Sequence, residues 1–418
     1  MLDRLLARRN SWPRFVNALI DGLADRPMSI IGRLAALRYG SPSKQDETPV
    51  LVPDGQHTVS VLIGPVNYAS QGRLWAQSLE EADDQVQAVN LAVDVPGGFD
   101  FPSDAVIPVP TYQNGKAWQQ AQFEAARRFS HVLIEAEEPL FGRYLGRDVE
   151  REFRALQSSG VSVAFMGHGT DVRLPSSHRE RTPWSPYRDP ALYVNRLETL
   201  ARRNQALLTG SGRPMFVSTP DLLDDLPTAV WCPVVVDPAH WAIPRHASRD
   251  GRLRVVHAPS SALVKGTHLI EPVLHSLHQR GAIDYRPISG VPAHAMRDVY
   301  ADADVVLDQF RLGAYGVAAC EAMAAGRLVV GHVLQSVRDR VEKETGLQLP
   351  VAEATPDTLE ELLLSVAADR EAWIAKAGEG PAFVEQVHDG RLSSEILISH
   401  WIAGPRDLQN KDVSGAGV

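Results

Sequence analysis

The chain has 418 residues, 44% of them hydrophobic and 22% charged, and a formal net charge of -9. Such a length suits two domains of common size, the composition excludes a disordered or disulfide-rich chain, and the excess of acid opposes nonspecific nucleic-acid binding, which needs surplus Lys and Arg. Cys232 and Cys320 are the only cysteines, so no disulfide framework or thiolate metal site is indicated and a reducing cytoplasm is the expected location.

Residues 1–50 read as a helical extension and linker. Leu2, Leu5, Leu6, Phe15, Leu19, Ile20 and Leu23 recur at helical spacing, with Arg4, Arg8, Arg9 and Arg14 among them. Two uses fit: helices packed on the main body, or a basic amphipathic segment lying peripherally on an anionic inner membrane surface. Charges interrupt the apolar residues of "MLDRLLARRNSW", which lacks a signal-peptide core, and no run of about 18 apolar residues occurs that would span a bilayer. "YGSPSKQDETP" has the composition of a linker.

From residue 51 to 236 short apolar runs alternate with helical ones: "VSVLIGP", "RLWAQSLEEA", "VQAVNLAV", "AWQQAQFEAARRF", "HVLIEAE", "REFRALQSSG", "VSVAFMG". The runs are continuously apolar rather than two-periodic, as in a parallel sheet covered on both faces. "ALLTGS", "PMFVSTPDLL" and "AVWCPVVVD" continue the series. Residues 237–403 repeat the pattern with "LRVVHAPS", "THLIEPVLHSLHQRG", "IDYRPIS", "AHAMRDVYADA", "DVVLDQF" and "RLVVGHV", and "PAFVEQVHDGRLSSEILISHWIAG" reads as a final helix. Residues 404–418 read as a flexible tail. Two doubly wound α/β domains are expected, with the ligand in the cleft that their sheets' carboxyl ends face.

Four stretches carry candidate chemistry. In "DQFRLGAYGVAACEAMAAGRLVVG", a strand and a turn lead into a short helix. Helix N-termini leave N–H groups unpaired and carry partial positive charge, so Gly316 and Val317 offer donors to a phosphate. Glu321, one turn deeper, is placed to accept from vicinal hydroxyls such as a ribose's, or else lies on a solvated face. In "HAPSSALVKGTHLIEP", Lys265-Gly266 opens a helix beside the same strand ends, and a fixed cation there would stabilise a departing anion; an ordinary exposed lysine is the alternative. In "VSVAFMGHGTDVRLP", glycines flank His168 at a strand end, and Asp171 and Arg173 follow, either to orient it, to read hydroxyls, or as a loop ion pair. "IGPVNYASQGRLWAQSL" supplies a strand, a Gly loop and a helix with Gly64, Asn67 and Gly72, a turn common to doubly wound folds. Glu135 and Glu138 end another strand on that side, most simply as turn caps. Asp302 and Asp304 suggest a metal pair only weakly, since one ends a helix and the other starts a buried strand.

"GVAACEAMAAGRLVVG" closely resembles the Glu-Ala-Met-Ala segment of retaining glycosyltransferases of the GT-B fold, the glycosyl transferases group 1 type often called family four. The resemblance extends over most of residues 58–402. It implies two Rossmann-like domains, acceptor side first and donor side second, and transfer of a sugar, most often a hexose, from a nucleotide diphosphate to an acceptor hydroxyl. No cofactor and no metal are implied; a nucleotide sugar and a sugar, glycan or lipid-linked acceptor are the partners. It also implies that Glu321 holds the ribose, that Gly316 and Val317, with Tyr315 beside them, receive the donor, that Lys265 neutralises the diphosphate and that His168 contacts the donor sugar. Gly64, Asn67 and Gly72 match the family's first-domain glycine loop. The family usually has a second glutamate eight positions before Glu321, where this chain has Gly313, and Asp308 and Gln309 are the nearest polar residues. A nucleotide-sugar epimerase or phosphorylase on the same scaffold, and a noncatalytic sugar-nucleotide binder, are the alternatives.

Overall fold

The computed structural model describes Arg9 and residues 12–42, 48–94, 101–246 and 251–403. Leu2, Leu5, Leu6, Arg4, Arg8 and the 404–418 tail lie outside these residues. Two parallel sheets organise the chain. The first has seven strands, β1 (Val59–Gly64), β2 (Val86–Asp94), β3 (Ala105–Pro108), β4 (His131–Glu135), β5 (Ser162–Gly167), β6 (Met215–Val217) and β7 (Val230–Trp231), in the order β3-β2-β1-β4-β5-β6-β7. The second has five, β8 (Leu253–His257), β9 (Ile283–Pro287), β10 (Val305–Leu307), β11 (Leu328–Gly331) and β12 (Val351–Glu353), in the order β12-β11-β10-β8-β9.

The continuous apolar runs explain this arrangement. Every residue of β8, β10 and β11 is buried, as are all of β1 but Val59, because helices cover both faces of a parallel sheet and leave no wet side. One core lies between β1, β4 and β5 and the helix Gln71–Ala82, another under β8, β10 and β11. β3 and β12 escape the sequence reading because they are edge strands of four and three residues.

In each sheet the strand order reverses beside the strand that begins it. β1 pairs with both β2 and β4, and β8 with both β9 and β10. Open α/β sheets bind ligands in the crevice at the carboxyl ends of such strands. Gly64 and Glu135 end β1 and β4; Leu307, followed by Asp308, ends β10 beside His257 of β8.

The C-terminal stretch is not one helix. Glu379–Val387 and Arg391–Leu397 are separate helices, followed by a π-helical turn over Ile398–Ile402. Gly390 breaks them: its φ of +100° suits only glycine, and a Cβ there would lie 2.1 Å from Ser78 Oγ. The break lets the last helix return to the first sheet, where Leu397 and Trp401 join the Trp75 core and Trp401 Nε1 donates to Ser162 Oγ at 3.1 Å. The connecting segment is tied on both sides. Gln71 exchanges two hydrogen bonds with the backbone of Val235 (2.9 and 2.6 Å), and His388 Nδ1–H donates to Val234 O at 2.7 Å.

Candidate active site

The second sheet supplies a charged cluster. Lys265 ends a one-turn helix, Ala262–Lys265, that follows β8, and its Nζ lies 2.5 Å from Asp308 Oδ1. Asp308 is buried where β10 ends, so the lysine is held over the strand tips rather than extended into water. His257 underlies the pair: its Nδ1–H donates to Leu307 O at 2.9 Å and its Nε2 accepts from the Thr267 hydroxyl at 2.9 Å. Burial lowers its pKa to about 4, keeping the imidazole neutral under Lys265.

The helix Val317–Ala324 starts beside this cluster. Gly316 is its N-cap, in extended backbone, with nothing within 4 Å of where a Cβ would stand. Gly316, Val317 and Ala318 are only partly buried, whereas Ala319, Cys320, Ala322 and Met323 are packed in the core. The free N–H groups at this N-terminus therefore face an open approach. Glu321 is one turn further on. Burial raises its pKa to about 8, and Lys265 opposes that rise without cancelling it. Lys265, Asp308 and Glu321 thus form one electrostatic unit.

Tyr315 and Gln309 turn the other way. Tyr315 is a core residue whose hydroxyl lies 3.3 Å from His388 Nε2. Gln309 is buried, and its amide N–H donates to Ala314 O, which closes the turn. Gly313 has a φ of +68°, and a Cβ there would stand 2.5 Å from Leu334 Cγ. A glutamate at this position would be strained and crowded, so glycine belongs to the way this loop is built.

The first sheet contributes a histidine on a buried carboxylate. His168 follows β5 and its Nε2 lies 3.1 Å from Glu135 Oε1, the last residue of β4. Glu135 is 0% exposed, its Oε2 has no hydrogen-bond partner, and burial raises its pKa while His168 pulls it back. Tyr68 meets the imidazole edge-on at 5.0 Å between ring centres, and Trp75 lies at 5.7 Å. Asp171 accepts the backbone N–H groups of His168 (2.8 Å) and Gly169 (2.5 Å), which fixes the turn that carries the ring. Glu135 is the residue whose importance sequence reasoning underestimated as a turn cap. Its position at a strand tip was the available signal.

Arg173 does not pair with Asp171. It reaches inward to Asp221 at 2.6 Å, both side chains being buried. Asn67 is also spent locally: its amide donates to Phe101 O (2.8 Å) and Ser103 Oγ (3.3 Å), and its Oδ1 accepts from Ser70 N. Gly72 opens the following helix against the sheet, where a Cβ would lie 2.6 Å from Asn90 Nδ2 and 3.0 Å from Glu135 Oε2. Neither Asp302 nor Asp304 is free: Asp302 lies 2.8 Å from His246 Nδ1, and Asp304 is ion-paired with Arg254 at 3.0 Å.

The two halves are joined through a residue not singled out in the sequence. Arg311 is buried and donates to Trp184 O (3.0 Å), Ser185 O (3.0 Å) and Leu263 O (3.1 Å), and pairs with Asp189 (2.9 Å). It therefore bridges the loop after β5 to the lysine-bearing turn. His178 Nε2 lies 3.0 Å from Leu312 O beside it. Among the described residues no hydrogen bond or ion pair joins His168 itself to Lys265 or Glu321. An open pocket of about 540 Å³ lies at this junction, lined by Ser177, Arg181, Asp224, Leu334, Gln335 and Ser336. None of the candidate residues lines it; it adjoins them through Leu334, which packs on Gly313.

No protein-family model matches the chain, and no curated protein matches its sequence. Its structure is similar to that of Anabaena Alr3699/HepE in complex with UDP and glucose, at 11% identity and a TM-score of 0.52, over 82% of this chain and 99% of that one. It is similar also to sucrose-phosphate synthase from Thermosynechococcus elongatus, at 11% identity and a TM-score of 0.51, over 86% of this chain and 99% of that one. The fold is the GT-B fold, two Rossmann-like domains with parallel sheets of seven and five strands.

Proposed function

We propose that the chain is a glycosyltransferase that moves a sugar, of the hexose class, from a nucleotide-diphosphate donor to an acceptor hydroxyl, with retention and without a metal. The observation that carries this reading is the unit at the second sheet's strand tips: Lys265 2.5 Å from Asp308, Glu321 beside them, and an open helix N-terminus at Gly316. A cation and free N–H groups suit a diphosphate, and a carboxyl one turn away suits ribose hydroxyls. That HepE was crystallised with UDP and glucose supports a uridine donor.

In this reading the diphosphate displaces Asp308 as the partner of Lys265. Charge that grows on the leaving oxygen meets a fixed ammonium, so no metal is needed for that task. His168, held by Glu135, orients the donor sugar. The C1–O bond to the diphosphate breaks as the acceptor oxygen bonds C1 on the same face, and the acceptor's proton passes to the departing diphosphate. Cleft closure supplies the alignment.

The test is nucleotide release from UDP-, GDP- and ADP-sugars in EDTA, with Glu321→Ala beside the native protein. Chelation-resistant release by the native protein alone supports the proposal and names the donor. Binding of a donor without release, with sugar acceptors present, would replace it by a noncatalytic binding role; phosphate-dependent release would point to a phosphorylase.

A further inference from the structure

The two N-terminal helices, Arg14–Ala24 and Ile30–Ala36, are fastened to the first domain by polar contacts. Asp21 pairs with Arg9 at 2.8 Å and accepts from the Tyr193 hydroxyl at 3.1 Å; Asp25 pairs with Arg196 at 2.7 Å. Asn114 Nδ2 donates to Ala36 O (3.0 Å) and Gly40 O (2.7 Å), and Arg143 donates to Pro27 O. Asp21 and Asp25 are the only acidic residues between residues 12 and 42. Both are spent on anchoring.

What remains outside is apolar and basic. Phe15, Leu19, Ile30, Ile31, Leu34 and Leu37 are between 56% and 80% exposed. Phe15 and Leu19 are one turn apart, and Ile30, Leu34 and Leu37 follow one another at helical spacing. The other exposed large hydrophobics, such as Val52, Tyr144 and Ile374, are scattered singly along the chain, which is ordinary for a protein surface. Arg26, Arg33 and Arg38 are exposed amid the apolar group. Arg33 donates to Met28 O and Arg38 to the Tyr39 hydroxyl, and none of the three has a carboxylate partner among the described residues. This positive face belongs to a chain with a net charge of -9.

We infer that this face docks on an anionic lipid surface. Aliphatic side chains at helical spacing enter the headgroup boundary while the three guanidinium groups lie among lipid phosphates. Charge argues against a second copy as the occupant, because a two-fold dimer through this face would set one basic face against another. The inference is independent of the transfer reaction, since none of these residues belongs to the candidate active site.

The experiment is cosedimentation of the full chain with vesicles of phosphatidylcholine, and of phosphatidylcholine mixed with phosphatidylglycerol, at low and high salt. The native protein pellets with the mixed vesicles, and high salt weakens this. Each of Arg26→Glu and Arg33→Glu lowers vesicle affinity at least about fivefold, the loss expected for one basic side chain at an anionic surface. Ile30→Asp with Leu34→Asp abolishes pelleting; if circular dichroism shows that this pair unfolds, Phe15→Ser with Leu19→Ser replaces it. Absence of pelleting with either vesicle overturns the inference, as does equal pelleting with phosphatidylcholine alone. A dimer in solution that Leu34→Asp dissolves, without vesicle binding, assigns the face to self-association instead. Nucleotide release from a soluble donor is measured on the same variants and stays unchanged, which separates this result from the fate of the transferase proposal.

Discussion

The two halves of the candidate site, one at the strand tips of each sheet, are built on opposite plans. In the second domain, the charges are few and exchangeable: Lys265 is paired with a single carboxylate, Glu321 is half-buried, and Gly316 leaves its N–H groups open. In the first, the singled-out polar groups are held by specific partners: His168 by Glu135, Asp171 by two backbone amides, Arg173 by Asp221. In the proposed reading, the half that receives and releases an anion keeps its cation available, and the half that positions a ring holds it fixed.

Breaking the locked half therefore costs stability first. Arg173→Ala leaves Asp221 buried and unpaired and lowers unfolding stability by about 3–5 kcal/mol, read from urea denaturation; a change below about 1 kcal/mol would mean that the pair is not a buried anchor. Breaking the exchangeable half costs function first. Lys265→Ala lowers nucleotide release roughly 10²–10³-fold. Part of any stability loss in that variant comes from stranding Asp308, so Lys265→Ala with Asp308→Asn recovers thermal stability while turnover stays low. Recovery of turnover in the double variant would remove Lys265 from the chemistry.

The histidine arm sits between these extremes. Glu135→Gln keeps the shape but replaces the ionisable carboxyl that faces His168 Nε2 by an amide, and is expected to lower kcat about 10–100-fold with donor KM little changed. An altered pH–rate profile marks a positioning role, which a purely structural carboxylate would not produce. A pH-dependent effect on stability concerns Glu321. Its carboxyl pKa rises from 4.5 to about 8 on folding, so between those values the folded state holds the proton more tightly than the unfolded one. The stabilisation is complete below pH 4.5 and disappears as pH climbs through 8. Thermal denaturation of Glu321→Gln should show a flatter fall of Tm with pH over that window than the native chain; identical slopes would show that Glu321 is already ionised.

Much of the second half was legible because its chemistry is local. A glycine followed by a helix with one glutamate among alanines is a contiguous pattern, and Lys265-Gly266 opens a helix within a few residues of its strand. The first half depends on contacts between β4 and β5, 33 residues apart at Glu135 and His168, and no spacing rule ties two strand tips together. Arg311 was invisible for the same reason, since its partners Trp184, Ser185 and Leu263 are 127, 126 and 48 residues away.

Hydrophobic patterning alone determined the two series of buried parallel strands, because a sheet covered on both faces demands unbroken apolar runs. Only the folded chain decided what the polar residues do. A Gly-flanked histidine, an Asp-x-Arg loop and Gly313 in its turn each admit several roles in sequence. The choice rests on burial, which makes an unpaired charge too costly to keep, and on backbone geometry, which at Gly313 and Gly390 leaves little room for a side chain.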